Sequence, residues 1–194
     1  LAVALELGSL IKKKLDDVKV VYTRDKDTYL TLQQRAEKAN KANGDLFISI
    51  HTNSVAMSNK NRRTVCGAST YTLGLHKDDE NMEVARRENA VMTLEKDFQT
   101  TYQGFNPNSD ESYIIFELSQ KKNMSQSIKL ANDIQKQLAS VANRQDRGVH
   151  QAGFWVLWAT SMPAVIVELD FICNPISAKY LASENGHKQL AKGI

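Results

Sequence analysis

Two apolar runs in this chain end on groups that can share a proton or a metal ion. Leu46-Phe47-Ile48-Ser49-Ile50 stops at His51-Thr52-Asn53, and Pro163-Ala164-Val165-Ile166-Val167 stops at Glu168. A buried strand that ends in this way delivers its last side chain to the carboxyl edge of a sheet, where open α/β sheets place their chemistry. If the two strands are neighbours, His51 and Glu168 converge on one site. An imidazole and a carboxylate are two of the parts a zinc hydrolase needs, a nitrogen ligand and an acid/base partner.

Each residue also has a plainer reading. His51 is either a buried histidine satisfied by backbone groups or a metal ligand whose second nitrogen is fixed by a partner such as Ser49 or Asn53. Glu168 follows three apolar residues, so it is costly to bury unpaired. It either forms a salt bridge with Arg24, Arg35 or Arg147, or it is a general base whose pKa is lifted toward neutrality by its surroundings. His76 and His187 read as solvated. His150, after Arg147-Gly148-Val149 at a strand start, is within plausible reach of the site. No HExxH, Gly-rich phosphate loop, GxSxG or CxxC is present, and neither Ser49 nor Ser161 has an adjacent base.

The elements that must position these groups follow from spacing. Residues 1–16 repeat apolar side chains at helical intervals, with Lys12, Lys13 and Lys14 in the last turn. Val18–Tyr22 is short and β-branched and reads as a strand. Residues 28–42 read as an amphipathic helix with Gly44 as its cap. After the strand into His51 comes a polar loop, 54–66, then an alternating strand from Gly67 to Leu73. Residues 80–98 read as a charged helix and 100–112 as loop. The whole stretch 74–113 carries little that would form a core and looks like an insertion. A long helical pattern covers 114–142, with a break near 121–124. Strands follow at Arg147 and at Phe154–Leu157, then the strand into Glu168, a helix from Pro175 and a last one from His187. Alternation of this kind predicts an α/β three-layer sandwich with a mixed, mostly parallel sheet flanked by helices.

Bulk composition narrows the class. With 194 residues, 42% of them hydrophobic and 24% charged, the chain can bury a sizeable core. A net charge of +3, not gathered into one block, gives no reason to expect a nucleic-acid partner. No run approaches the ~18 apolar residues of a membrane span. Cys66 and Cys173 could pair, but two distant cysteines define no disulfide framework. The chain begins without Met and already inside a helical pattern, so one domain over 1–194, truncated at its N-terminus, is expected.

Taken in order, these residues resemble the catalytic domain of the zinc-dependent N-acetylmuramoyl-L-alanine amidases of bacterial cell walls. The anchors are Thr23-Arg24, Leu32 to Arg35 leading to Ala39-Asn40, Ser49 to Asn53, Arg147-Gly148-Val149, Met162 to Val165, Val167-Glu168, and Phe171 to Asn174. The resemblance covers 1–73 and roughly 125–194. It implies a Zn2+ cofactor held by a His, a Glu and a second His, with His51 as that second His and Glu168 as the catalytic glutamate. It implies peptidoglycan as substrate, cut between muramic acid and the L-alanine of the stem peptide, in a periplasmic or extracellular setting. The other two ligands precede Leu1 in the family pattern, and Glu6 inside the first helix is not one of them. A chain with one ligand of three is therefore expected to hold zinc poorly and to be inactive as it stands. Asp170 stands where the family usually has Gly, and Trp158 where a basic residue is common. Some relatives carry a helix in the region of 74–113 that plugs the cleft with a carboxylate on the metal. Glu83 and Glu88 are the candidates here, against the simpler reading of a solvated charged helix, and an activator protein acting on this segment is the partner such a plug implies. Two other functions fit the same residues: a non-catalytic peptidoglycan-binding or regulatory protein on this scaffold, and another zinc exopeptidase.

Overall fold

The computed structural model describes residues 1–74, 79–118 and 123–194. Among them lies a four-stranded sheet in the order β1-β4-β2-β3. The strands are β1 (Phe47–Asn53), β2 (Ala68–Leu73), β3 (Asp146–Ala152) and β4 (Ala164–Phe171). β1 pairs with β4 and β2 with β3 in parallel, while β2 and β4 run antiparallel. The sheet is mixed and mostly parallel, as the alternation predicts.

Side-chain alternation divides the sheet into two faces. Val165, Val167, Leu169 and Ala68 pack on one face against Ala131, Ile134 and Leu138 of α6 (Met124–Ser140), Leu190 of α9 (Glu184–Gly193) and Val3 of α1 (Ala2–Lys14). Phe47, Ile166, Tyr71 and Leu73 face the other way. That second face is covered by α2 (Leu32–Lys41), α3 (Asp79–Asn89), a 3-10 turn at Ala90–Leu94, α4 (Phe98–Thr101), α5 (Asp110–Leu118) and α7 (Trp155–Trp158). α8 (Pro175–Leu181) follows β4. The result is helices on both faces of one sheet. No helix among the described residues is long and apolar enough to cross a membrane.

The turn into β1 shows how local sequence aims the site. α2 opens on a capping box, in which Thr31 and Gln34 satisfy each other's backbone N–H groups. It closes with the Asn43 N–H donating to Asn40 O and the Gly44 N–H to Ala39 O, the paired bonds of a Schellman motif. Asn43 takes the left-handed position at φ 50°, so the cap is Asn43 and not the expected Gly44. Gly44 is small for a different reason: a Cβ there would come within 3.0 Å of Met162 Sδ.

Several expectations need correction. Val18–Tyr22 is not a strand; Tyr22 packs on α1, under Lys12 and beside Gly8, and Val18 and Val21 stay exposed. β-branched residues favour a strand only where a sheet edge receives them. Phe154–Leu157 is not a strand: Phe154 caps the helical turn α7, with Trp158 N–H donating to Phe154 O, since a short apolar run fits a buried helix as well as a strand. The helix expected over 80–98 ends at Asn89. The long pattern over 114–142 divides into α5 and α6, and the break expected near 121–124 falls partly on 119–122, outside the described residues. The largest correction concerns 74–113. Met82, Val84, Ala85, Met92, Tyr102, Phe105 and Tyr113 of this stretch are buried in the core of the second face. The expectation of little core-forming content is overturned for the described residues of this stretch.

Candidate metal centre

His51 and Glu168 are direct neighbours in the sheet, paired across the parallel β1–β4 ladder. Ser69 flanks Glu168 on the other side. The convergence expected of the two strand ends therefore holds at the level of register. Above them lies the C-terminal half of α3, which brings down Glu88. Donor atoms of His51, Glu88 and Glu168 all lie within 4.8 Å of one another, the one group among the described residues that could hold a metal ion in this way.

The two nitrogens of His51 have separate partners. Nδ1 is 2.6 Å from Glu88 Oε2, and Nε2 is 2.9 Å from Ser49 Oγ. Ser49 thus orients the ring, as one of the two sequence candidates. Asn53 does not, because its Oδ1 accepts from Arg87 Nη2 at 2.7 Å and from the Ser54 N–H. Arg87 also donates to Ser54 O at 2.7 Å, so it clamps α3 to the end of β1 immediately beside Glu88.

Charge and burial set the protonation states. Burial alone would lower the His51 pKa, but the hydrogen bond and charge of Glu88, with the charge of Glu168, more than offset it and the net effect is upward. Burial likewise pushes Glu88 up, and its bond to His51 reverses that to a net lowering. Glu168 is fully buried, and neither of its oxygens has a hydrogen-bond partner. Burial, and then the charge of Glu88, lift its pKa to about 7. Arg24, Arg35 and Arg147 do not pair with it: they donate to Thr28 O, Leu30 O and Glu80 Oε1 respectively. The salt-bridge reading of Glu168 is thereby overturned. An unpartnered buried carboxylate beside an imidazole is a donor set that fits a cation or a water.

The remaining candidates separate clearly. His150 lies beside the cluster but outside it. Its Nε2 donates to Arg147 O at 2.7 Å and its ring stacks near Tyr71. His187 is partly buried and donates to Leu181 O at 2.8 Å, so it is structural and not solvated. His76 lies outside the described residues. Ser161 caps Asn40 Oδ1 through both its N–H and its hydroxyl. Cys66 and Cys173 are free thiols. Asp170 is not part of the cluster: its carboxylate accepts from the Gly67 and Phe171 N–H groups, Ser177 Oγ and Arg144 Nη1. Trp158 packs edge-on against Phe116 and at a tilt against Trp155. Glu83 is exposed, while Glu88 is at the site. α3 buries Asn81, Met82, Val84, Ala85 and Asn89, so it is not a solvated charged helix. Arg87 is the one contributor the sequence reading did not single out; its adjacency to Glu88 on a helix was the available signal.

Comparison with known proteins shows the family. The sequence matches the N-acetylmuramoyl-L-alanine amidase family across residues 1–194. It is 31% identical to the uncharacterized protein YqiI of Bacillus subtilis over 94% of this chain and 64% of that one. It is 28% identical to the N-acetylmuramoyl-L-alanine amidase AmiA of Escherichia coli, over all of this chain and 64% of the relative. The chain thus spans less than two thirds of the length of these relatives. Among solved structures, the N-acetylmuramoyl-L-alanine amidase of Clostridium difficile superposes with a TM-score of 0.69 at 25% identity, over all of this chain and 76% of that one. The catalytic domain of CwlV from Bacillus (Paenibacillus) polymyxa gives 0.67 at 24% identity, again over all of this chain and 76% of that one. With the fold, the paired strand ends and this match in hand, the chain belongs to the N-acetylmuramoyl-L-alanine amidase family.

Proposed function

We propose that this chain is the catalytic part of a peptidoglycan amidase that hydrolyses the bond between N-acetylmuramic acid and the L-alanine of the stem peptide. The observation that carries the reading is Glu168: a buried carboxylate with no partner, held against His51 by strand register. His51 is one of the residues that would hold zinc, with Ser49 fixing its other nitrogen as outer partners of ligand histidines do. Zinc, when bound, supplies Lewis acidity toward the amide carbonyl and lowers the pKa of water. Glu168 takes the proton from the attacking water and passes it to the leaving amine. A proton affinity near neutrality suits both transfers.

In this reading α3 is a plug. Glu88 occupies the place that water and the scissile amide need, and Arg87 fastens the helix to Asn53 and Ser54. An activator protein acting on the segment 74–113 would displace α3, which takes Met82, Val84 and Ala85 out of the core, whereas displacing the whole segment would strip Met92, Tyr102 and Phe105 as well. One structural relative, the CwlD amidase of Clostridioides difficile, is described in complex with the GerS lipoprotein. The substrate places the protein in the cell envelope.

The test is digestion of purified sacculi by the full-length protein with zinc supplied, followed by mass analysis. Freed stem peptides with intact glycan are expected. Glu168→Gln should remain folded and release nothing, and Glu88→Gln should release more than the native protein. Release by Glu168→Gln at the native rate would remove its assigned role; no release from any form would leave a binding protein on this scaffold.

A further inference from the structure

α3 touches the sheet with more than Glu88. At its other end Glu80 Oε1 accepts from Arg147 Nη2 at 2.9 Å, and Asn81 Nδ2 lies 3.5 Å from His150 Nδ1. The helix therefore lies across the strands, from β1 at Glu88 to β3 at Glu80. Eight helical residues span ~12 Å, and three strand spacings from β1 to β3 span ~14 Å. The two lengths agree. The plug presents one carboxylate to the candidate metal site and a second to a guanidinium about that distance away.

Arg147 is held ready independently of Glu80. Its guanidinium lies 5.1 Å above the Phe171 ring, its backbone carbonyl is pinned by His150 Nε2–H, and its side chain keeps 28% of its surface open. With α3 lifted, the cation remains in the cleft and its carboxylate partner departs. We propose that Arg147 is the specificity residue of this cleft, and that it takes a carboxylate of the stem peptide in the place of Glu80. The inference rests on the amidase reading and on α3 as the plug. An extended peptide advances ~3.3–3.6 Å per residue, so the carboxylate lies three to four residues from the scissile amide. Guanidinium and carboxylate match in fork geometry, which an ammonium does not reproduce.

The experiment uses the full-length Glu88→Gln protein with zinc and two muramoyl tetrapeptides. One carries free carboxylates at its third and fourth residues; in the other both are carboxamides. The free form should have a KM lower by about tenfold, the size of one exposed charge-assisted hydrogen bond. Arg147→Gln should raise KM for the free form to that of the carboxamide form with kcat unchanged, and Arg147→Lys should keep part of the preference. Equal KM values for the two substrates in the parent, or a preference that survives in Arg147→Gln, would overturn the proposal while leaving the amidase reading intact. Loss of kcat in Arg147→Gln without a change in KM would also overturn it, since that marks a structural role. If the parent cleaves neither substrate, the amidase reading itself fails and takes this inference with it.

Discussion

Glu168→Gln should make the metal-free protein more stable at neutral pH, and the gain should vanish in acid. The wild-type carboxyl is fully buried, and its folded-state pKa is lifted from 4.5 to about 7. The folded state thus holds the proton more tightly than the unfolded chain does. For a group raised in this way, stability is fully present below the unfolded value and is lost as pH rises through the folded one. A rise from 4.5 to about 7 is between two and three units, and each unit is worth about 1.4 kcal/mol, so the ionised carboxylate costs ~3 kcal/mol above pH 7. Glutamine keeps the shape and cannot ionise. Urea unfolding with a chelator present, at steps from pH 4 to 8, should give two curves that meet near the acid end. They should separate by about 3 kcal/mol at the other, or ~6–12 °C in Tm for a chain of this size. A difference between the two proteins that stays constant with pH would refute the argument, because it would mean that Glu168 titrates in the folded protein as it does in the unfolded one. A residue that destabilises its own fold is what a functional site produces when chemistry, not packing, selects the side chain.

Three further outcomes test the surrounding structure. In the full-length protein, Ser49→Ala should weaken zinc binding about 10- to 100-fold, read by competition with a chromogenic chelator, with the unfolding midpoint of the metal-free protein little changed. Asp170→Ala leaves the Arg144 guanidinium without its buried counter-charge and two N–H groups without an acceptor, so urea denaturation should show a loss of about 3–5 kcal/mol. Gly153→Ala would place a methyl 2.5 Å from Phe116 Cδ2 and 2.6 Å from Tyr113 Cδ1. The rings must shift, at a cost of about 1–3 kcal/mol by the same measurement.

The strand ends that make the site were legible because they are continuous apolar runs that stop on one polar residue. Pro163 marks where the second begins, and nothing about either run fits a helix better. The sheet's mixed character followed from alternation. What could not be read was set by distant partners. Val18–Tyr22 has the composition of a strand, yet strand formation depends on an edge to join. Phe154–Leu157 has four apolar residues, and only its place beneath α5 and beside α2 decides for a helical turn. The covering segment looked polar because Met82, Val84 and Ala85 are interleaved with charges and the rings of Tyr102, Phe105 and Tyr113 fall at irregular intervals. Asn89 ends α3 by spending its side chain on Gly153 O and the Trp155 N–H, a contact no local pattern encodes. The choice of Glu88 over Glu83 likewise depended on which face of α3 meets the sheet.

The only two tryptophans of the chain, Trp155 and Trp158, lie with ring centroids 4.7 Å apart, and each also touches a phenylalanine ring of the helical layer over this face, Phe105 and Phe116 respectively. The protein therefore carries its own optical probe at a single place. Lifting α3 while the rings stay packed should leave the emission maximum where it is. Loosening of the whole layer should quench and red-shift it, so one spectrum can tell local opening from general softening.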